Sequence, residues 1–242
     1  MKVTFVGSGD AFGHGGRLQA CISLQVGGFH ATLDFGQTSL LGVRRECMDP
    51  SGIDAVIVSH FHGDHDGGVP FLILDGQFTK RTRPLVIAGP PGIRERMVGQ
   101  MEAAIPTLSR TTQRYPVGYV DLSREPATIG PLTVRALPVV HTPGSSAVAL
   151  RVEVEGRVIA YSGDSEWTPA LAEVAAGADL FIAEAYSFEK AIPYHLSYRA
   201  LLSNRAELRA RRIVLTHLGP ETLSHLGDLE IEHASDGTTI EL

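Results

Sequence analysis

Cysteine is nearly absent from this 242-residue chain, which carries Cys21 and Cys47 and no others. Two thiols exclude a disulfide framework and a cysteine-rich zinc module. Both read as small buried residues, since no obvious charge or helix start activates them. Long apolar runs are missing too: none approaches the roughly 20 residues that span a bilayer. The start, Met1-Lys2-Val3-Thr4-Phe5-Val6-Gly7, lacks the apolar stretch and small-residue cleavage site of a secretion signal. A cytoplasmic protein without membrane association is expected. Positive charge is in deficit, with 21 Lys plus Arg against 27 Asp plus Glu and a net charge of −6. A protein that grips nucleic acid by neutralising phosphates usually shows the opposite sign. Low-complexity tracts, linkers and short-period repeats are absent. What remains is 43% hydrophobic, enough to bury a large core, and one domain over residues 1–242 is expected.

Short β-branched runs recur between turns rich in Gly, Asp and Pro. Lys2 to Val6, Ala20 to Val26, His30 to Asp34 and Ala55 to Ser59 read as the first strands, with Gly27-Gly28 as a hairpin turn. Leu132 to Leu137, Ala147 to Val154 and Val158 to Tyr161 follow, with a tight turn at Glu155-Gly156-Arg157. Leu180 to Ala183 and Arg212 to Thr216 read as buried strands. Helical spacing covers Gly92 to Ala104 and Ser197 to Ala210. A strand-rich block followed by helices, twice over, predicts two sheets packed face to face with helices outside.

The chemistry concentrates in Val56-Ile57-Val58-Ser59-His60-Phe61-His62-Gly63-Asp64-His65-Asp66-Gly67-Gly68. A buried strand ends there and metal-competent side chains follow at once. His60 and His62 project alike from extended backbone. Asp64 and His65 are adjacent and point apart, which suits two neighbouring ions better than one. Imidazole and carboxylate ligands favour Zn²⁺, with Mn²⁺ or Fe²⁺ as alternatives. A lone surface histidine is ordinarily incidental; this grouping is not.

His60-x-His62-x-Asp64-His65 resembles the signature of metallo-β-lactamase-fold hydrolases. The other ligand positions of that family match in order: His141 in Val140-His141-Thr142, Asp164 in Ser162-Gly163-Asp164, and His217 in Thr216-His217-Leu218. The resemblance runs from Gly7-Ser8-Gly9 to His217 and implies a four-layer αβ/βα sandwich. Within the superfamily the chain is similar to the ribonuclease Z and phosphodiesterase branch, through Pro84 to Gly92 and through Tyr194-His195-Leu196-Ser197, placed like that branch's additional catalytic histidine. The resemblance implies that His60, His62 and His141 hold one ion, that Asp64, His65 and His217 hold the other, and that Asp164 bridges them. It also implies a shared hydroxide as nucleophile, which Asp64 could orient, while His195 could protonate the leaving alkoxide or stabilise the pentavalent intermediate. Related enzymes are often homodimers.

Asp34 resembles the family's buried supporting aspartate. Glu184 reads either as an acceptor that orients His195 or a ligand histidine, or as an ordinary helix-start carboxylate. His195 itself has the alternative of a surface histidine at a helix start, and His14 in the Asp10 to Gly16 loop reads as solvent-exposed. Ribonuclease Z clamps transfer RNA with a long inserted arm, whereas His141 and Asp164 here are joined by little more than two strands and a turn. The reading is therefore a phosphodiesterase for a small or cyclic phosphodiester or short RNA, with tRNA disfavoured. Lactone, ester or thioester hydrolysis is the alternative on the same site, and a metal or nucleotide sensor without turnover is the third reading.

Overall fold

The computed structural model describes residues 1–242. The first half supplies six strands of one seven-stranded sheet, β1 (Lys2–Gly7), β2 (Cys21–Val26), β3 (Phe29–Leu33), β4 (Ala55–Ile57), β5 (Leu85–Gly89) and β6 (Val117–Asp121). The second half builds another from β7 (Ala127–Ile129), β8 (Leu132–Pro138), β9 (Val148–Val154), β10 (Arg157–Tyr161), β11 (Leu180–Glu184), β12 (Ile213–Thr216) and β13 (Glu232–His233). The final strand, β14 (Thr239–Glu241), crosses back to pair with β1 in the first sheet.

Each sheet starts antiparallel and turns parallel. β1, β2 and β3 form a meander and β3 to β6 then run parallel. Likewise β7 to β10 alternate and β10 to β13 run parallel. The two hairpins expected from the sequence are present. Gly27 and Gly28 close β2–β3 with φ of 51° and 84°, and Glu155-Gly156 closes β9–β10 with φ of 49° and 73°. Positive φ at both central residues matches the twist of the flanking strands.

Three apolar clusters make the layers. Phe5, Ile22, Leu33, Ile57, Val134, Leu150, Ile159 and Ile182 meet between the sheets. Helices α1 (Ser39–Arg45), α2 (Gly63–Asp66), α3 (Val69–Phe78) and α4 (Ile93–Ala104) belong to the first half, where Val43, Val69, Ile73 and Met97 pack with Val56 and Ile87. Helices α5 (Pro169–Ala175), α6 (Tyr198–Ser203) and α7 (Pro220–Ser224) belong to the second, where Leu171, Val174 and Leu201 pack with Phe181 and Leu215. The result is the four-layer αβ/βα sandwich.

Two sequence expectations are adjusted. Helix α4 follows the predicted span because Asp121 on β6 caps it, accepting from Gly92 N at 3.1 Å and Ile93 N at 3.4 Å. The helix predicted over Ser197–Ala210 stops at Ser203. Asn204 turns its side-chain amide onto the Ala200 carbonyl at 2.8 Å, and a 3₁₀ turn, Arg205–Glu207, replaces the next α-turn. Cys21 is buried as expected, but Cys47 is exposed, with φ of 55° just beyond α1.

Candidate metal centre

The site forms where the carboxyl ends of the parallel strands of both sheets meet. From the first sheet, the chain leaves β4, bends through Ser59, His60 and Phe61, and is extended at His62 (φ −107°, ψ 146°), which starts α2. That short turn carries Asp64 and His65. From the second sheet come His141 after β8, Asp164 after β10 and His217 after β12. Gly163 sits at φ 57° against Ser59 and the Val148 carbonyl, so the chain can deliver Asp164 there only through a residue free to turn left-handed. His217 itself has φ of 54°, and its N–H is held by the Ser8 carbonyl at 3.0 Å.

The seven side chains singled out in the sequence fall into two touching groups. His60, His62 and His141 form one; Asp64, His65, Asp164 and His217 form the other, with donor atoms within 4.8 Å of one another in each. In the second group His65 Nε2 lies 3.3 Å from Asp64 Oδ2 and 3.4 Å from Asp164 Oδ2. His217 Nε2 lies 3.3 Å and 3.5 Å from the same two oxygens. Asp164 Oδ2 is also 3.8 Å from His60 Nε2, so one oxygen borders both groups.

These spacings test whether a cation fits. Ligands at about 2.0–2.1 Å from zinc in a tetrahedron stand about 3.3–3.4 Å apart, as they do in the second group. Buried His60 Nε2 and Asp164 Oδ1 have no hydrogen-bond partner, and a buried polar atom left unpaired is costly unless something else meets it. Two imidazole nitrogens face each other in each group, His62 Nδ1 and His141 Nε2 at 3.1 Å, His65 Nε2 and His217 Nε2 at 3.3 Å. The donor set suits a divalent ion in each group.

Outer contacts fix which nitrogen points inward. His65 Nδ1 donates to Asp34 Oδ2 at 2.7 Å. His60 Nδ1 lies 3.0 Å from Ser59 Oγ, which donates to the same Asp34 oxygen at 2.9 Å. His62 Nε2 lies 3.0 Å from Thr142 Oγ1, and His141 Nδ1 donates to the Tyr194 carbonyl at 2.6 Å. Asp34 is thus a buried hub, accepting also from Tyr161 OH and Ser59 N. Burial, reinforced by neighbouring imidazoles, holds His60 and His62 below the usual histidine range and keeps them neutral. Burial also opposes charge on His65 and His217, but the carboxylates of Asp164 and Asp64 outweigh it and raise both well above that range. Positive charge is wanted at that spot.

His195 stands beside this centre rather than inside it. Its Nδ1 pairs closely with Glu184 Oε1, and its ring lies against Tyr186, tilted by 30° with centroids 4.7 Å apart. Glu184 closes β11, fully buried, and its other oxygen accepts from Ser165 N at 3.1 Å and Leu196 N at 3.0 Å. The helix-start reading of Glu184 is therefore replaced by the orienting one. Burial works against charge on His195, but the Glu184 hydrogen bond prevails and raises its pKa. A cleft of about 360 Å³ opens alongside, lined by Pro91, Pro138, Val139, His141, Thr142 and Ser145 among others, with no Lys or Arg.

His14 lies away from both groups, partly exposed, with its Nδ1 2.6 Å from Asp10 Oδ2. Tyr194 acts here through its carbonyl, a role its side chain does not announce, although its place before His195 marks the segment.

Comparison with known proteins agrees with this architecture. Residues 1–234 match the family described as anti-Pycsar protein Apyc1. Ribonuclease Z of Mycolicibacterium paratuberculosis is 26% identical over 251 aligned residues, covering 91% of this chain and 86% of that protein. Human tRNase Z, short form, superimposes with a TM-score of 0.81 at 23% identity, covering 100% of this chain and 99% of that one. The metallo-β-lactamase-fold protein YhfI from Bacillus subtilis superimposes with a TM-score of 0.78 at 22% identity, covering 99% of each chain. The chain has the metallo-β-lactamase fold, is similar to ribonuclease Z, and belongs to the anti-Pycsar protein Apyc1 family.

Proposed function

We propose that this protein is a hydrolase of small, including cyclic, phosphodiesters that uses two divalent ions, Zn²⁺ before Mn²⁺ or Fe²⁺. The observation that carries the reading is the pair of donor groups sharing Asp164, with His195 poised beside them. His60, His62 and His141 would hold one ion, Asp64, His65 and His217 the other, and Asp164 would touch both. Bound there, the ions supply Lewis acidity and an activated water for in-line attack at phosphorus.

The protein's own groups do the rest. Asp34 and Ser59 lock the His60 and His65 tautomers so that both present Nε2 to the centre. Asp64 Oδ2 lies between His65 and His217 and is placed to orient the attacking water. Glu184 holds His195 through Nδ1 and stabilises its charged form, leaving Nε2 to hand a proton to the departing oxygen. The same charge favours the negative transition state.

Substrate size follows from the surroundings. The cleft lies at the small end of the range for ligand sites, and its uncharged lining offers no track for a polyanion. Between His141 and Asp164 the chain makes only the β9–β10 hairpin. These features favour a compact diester over tRNA. Lactone or thioester hydrolysis is the second reading.

Turnover of bis(p-nitrophenyl) phosphate is expected in zinc-loaded protein, lost with chelator and restored by added zinc. On a diester with an alkoxide leaving group, which needs a proton that p-nitrophenolate does not, His195→Ala should lower kcat by roughly 10²–10⁴ while bound metal stays constant. A homoserine lactone cleaved orders of magnitude faster than the diester would overturn the ranking, and full activity in His195→Ala would remove the proton-donor role.

A further inference from the structure

Tyr194 is a non-glycine residue in left-handed backbone, φ 71°, directly before His195. An L side chain resists that conformation, and it persists only where surrounding contacts impose it. Two hydrogen bonds do so. The Tyr194 N–H donates to Glu166 Oε1 at 2.7 Å, and its carbonyl accepts from His141 Nδ1 at 2.6 Å.

Glu166 is itself anchored on the segment that carries His141. Its N–H donates to the Val140 carbonyl at 2.9 Å, and the neighbouring Ser165 Oγ accepts from Val140 N at 3.2 Å. A closed ring results: Glu166 backbone to Val140, along the chain to His141, across to the Tyr194 carbonyl, and from Tyr194 N–H back to the Glu166 carboxylate. Ser165 N also donates to Glu184, the partner of His195. The ring therefore ties the loop after β8, the loop after β10 and the segment that delivers His195. Its one link made by a side chain outside both donor groups is Glu166.

We infer that Glu166 is a positioning residue: by holding the left-handed Tyr194 peptide it aims the carbonyl that orients His141 and sets the backbone from which His195 reaches Glu184. The contact needs an acceptor oxygen and no charge. Removing it frees the Tyr194 peptide to relax, turning the carbonyl from His141 and carrying His195 with it. One hydrogen bond thus serves a candidate metal ligand and a candidate proton donor together. The inference rests on the metal-dependent reading above.

The test compares Glu166→Ala with Glu166→Gln, whose amide oxygen can still accept from Tyr194 N–H. Zinc affinity is measured by chelator competition, and kcat on bis(p-nitrophenyl) phosphate separately. Losing such a supporting contact should weaken zinc binding or turnover by about 10–100-fold in Glu166→Ala. Glu166→Gln should stay within roughly threefold of the parent, since a neutral acceptor weakens the bond without abolishing it. An alanine variant with parental zinc affinity and kcat overturns the inference, and so do two variants impaired alike. Parent protein that binds no zinc refutes the metal-dependent reading and this inference with it; a zinc-binding parent whose zinc affinity and kcat are both unchanged in Glu166→Ala refutes only the latter.

Discussion

Replacing Asp34 by Asn should separate support of the metal loop from the backbone that carries it. Asp34 has φ of 58°, a conformation Asn adopts readily, so the main chain need not move. The side chain cannot be matched. Oδ2 accepts from Ser59 Oγ at 2.9 Å, His65 Nδ1 at 2.7 Å and Tyr161 OH at 2.8 Å, while Oδ1 accepts from Ser59 N at 2.7 Å. An amide oxygen in the Oδ2 position keeps three of these contacts and sets an NH₂ against the Ser59 N–H. The opposite orientation strands more donors, so the first sets the minimum loss. One buried donor without an acceptor costs about 1–3 kcal/mol, and at roughly 2–4 °C per kcal/mol for a chain of this size Tm falls by about 2–12 °C. Melting in chelator reads that loss without metal. Zinc competition reads the second consequence, a weakening of about 10–100-fold as His65 loses its charged partner. Unchanged melting together with unchanged zinc affinity would refute the hub assigned to Asp34.

Two further outcomes test the surrounding packing. A Cβ on Gly36 would lie 2.1 Å from the Asp64 carbonyl oxygen and 2.8 Å from Gln19 Cβ; Gly36→Ala should cost about 1–3 kcal/mol and weaken zinc binding, and parental melting and zinc affinity would contradict the close approach. Burial pushes the Cys21 thiol up to about 12, whereas Cys47 is exposed, so folded protein should label rapidly at one thiol and unfolded protein at two; rapid labelling of both in the folded state would contradict the burial of Cys21.

The sequence carried the donors clearly because each sits just past a short apolar strand, where a polar residue stands out. Hairpins were equally legible, since Gly27-Gly28 and Glu155-Gly156 announce the positive φ their turns require. Helix α3 was not: Val69-Pro70-Phe71-Leu72-Ile73-Leu74 is apolar on every side and offers no 3.6-residue contrast. The early end of α6 depends on where one Asn204 side chain turns. Strand β13 has two residues and β14 three, too short for any alternation to declare itself. Glu184 stayed ambiguous because a carboxylate after an apolar run suits a strand end or a helix start. Tyr194 was hidden for a different reason: it contributes a carbonyl, which every residue possesses.

Both donor groups straddle the seam of the sandwich. His60 and His62 face His141 across it, and Asp64 and His65 face Asp164 and His217. An ion seated in either place rivets one half of the molecule to the other. Loading and loosening then become one equilibrium viewed from opposite ends: whatever strips the cations also lets the two leaves of the protein slip, and whatever clamps the leaves together tightens the grip on the cations.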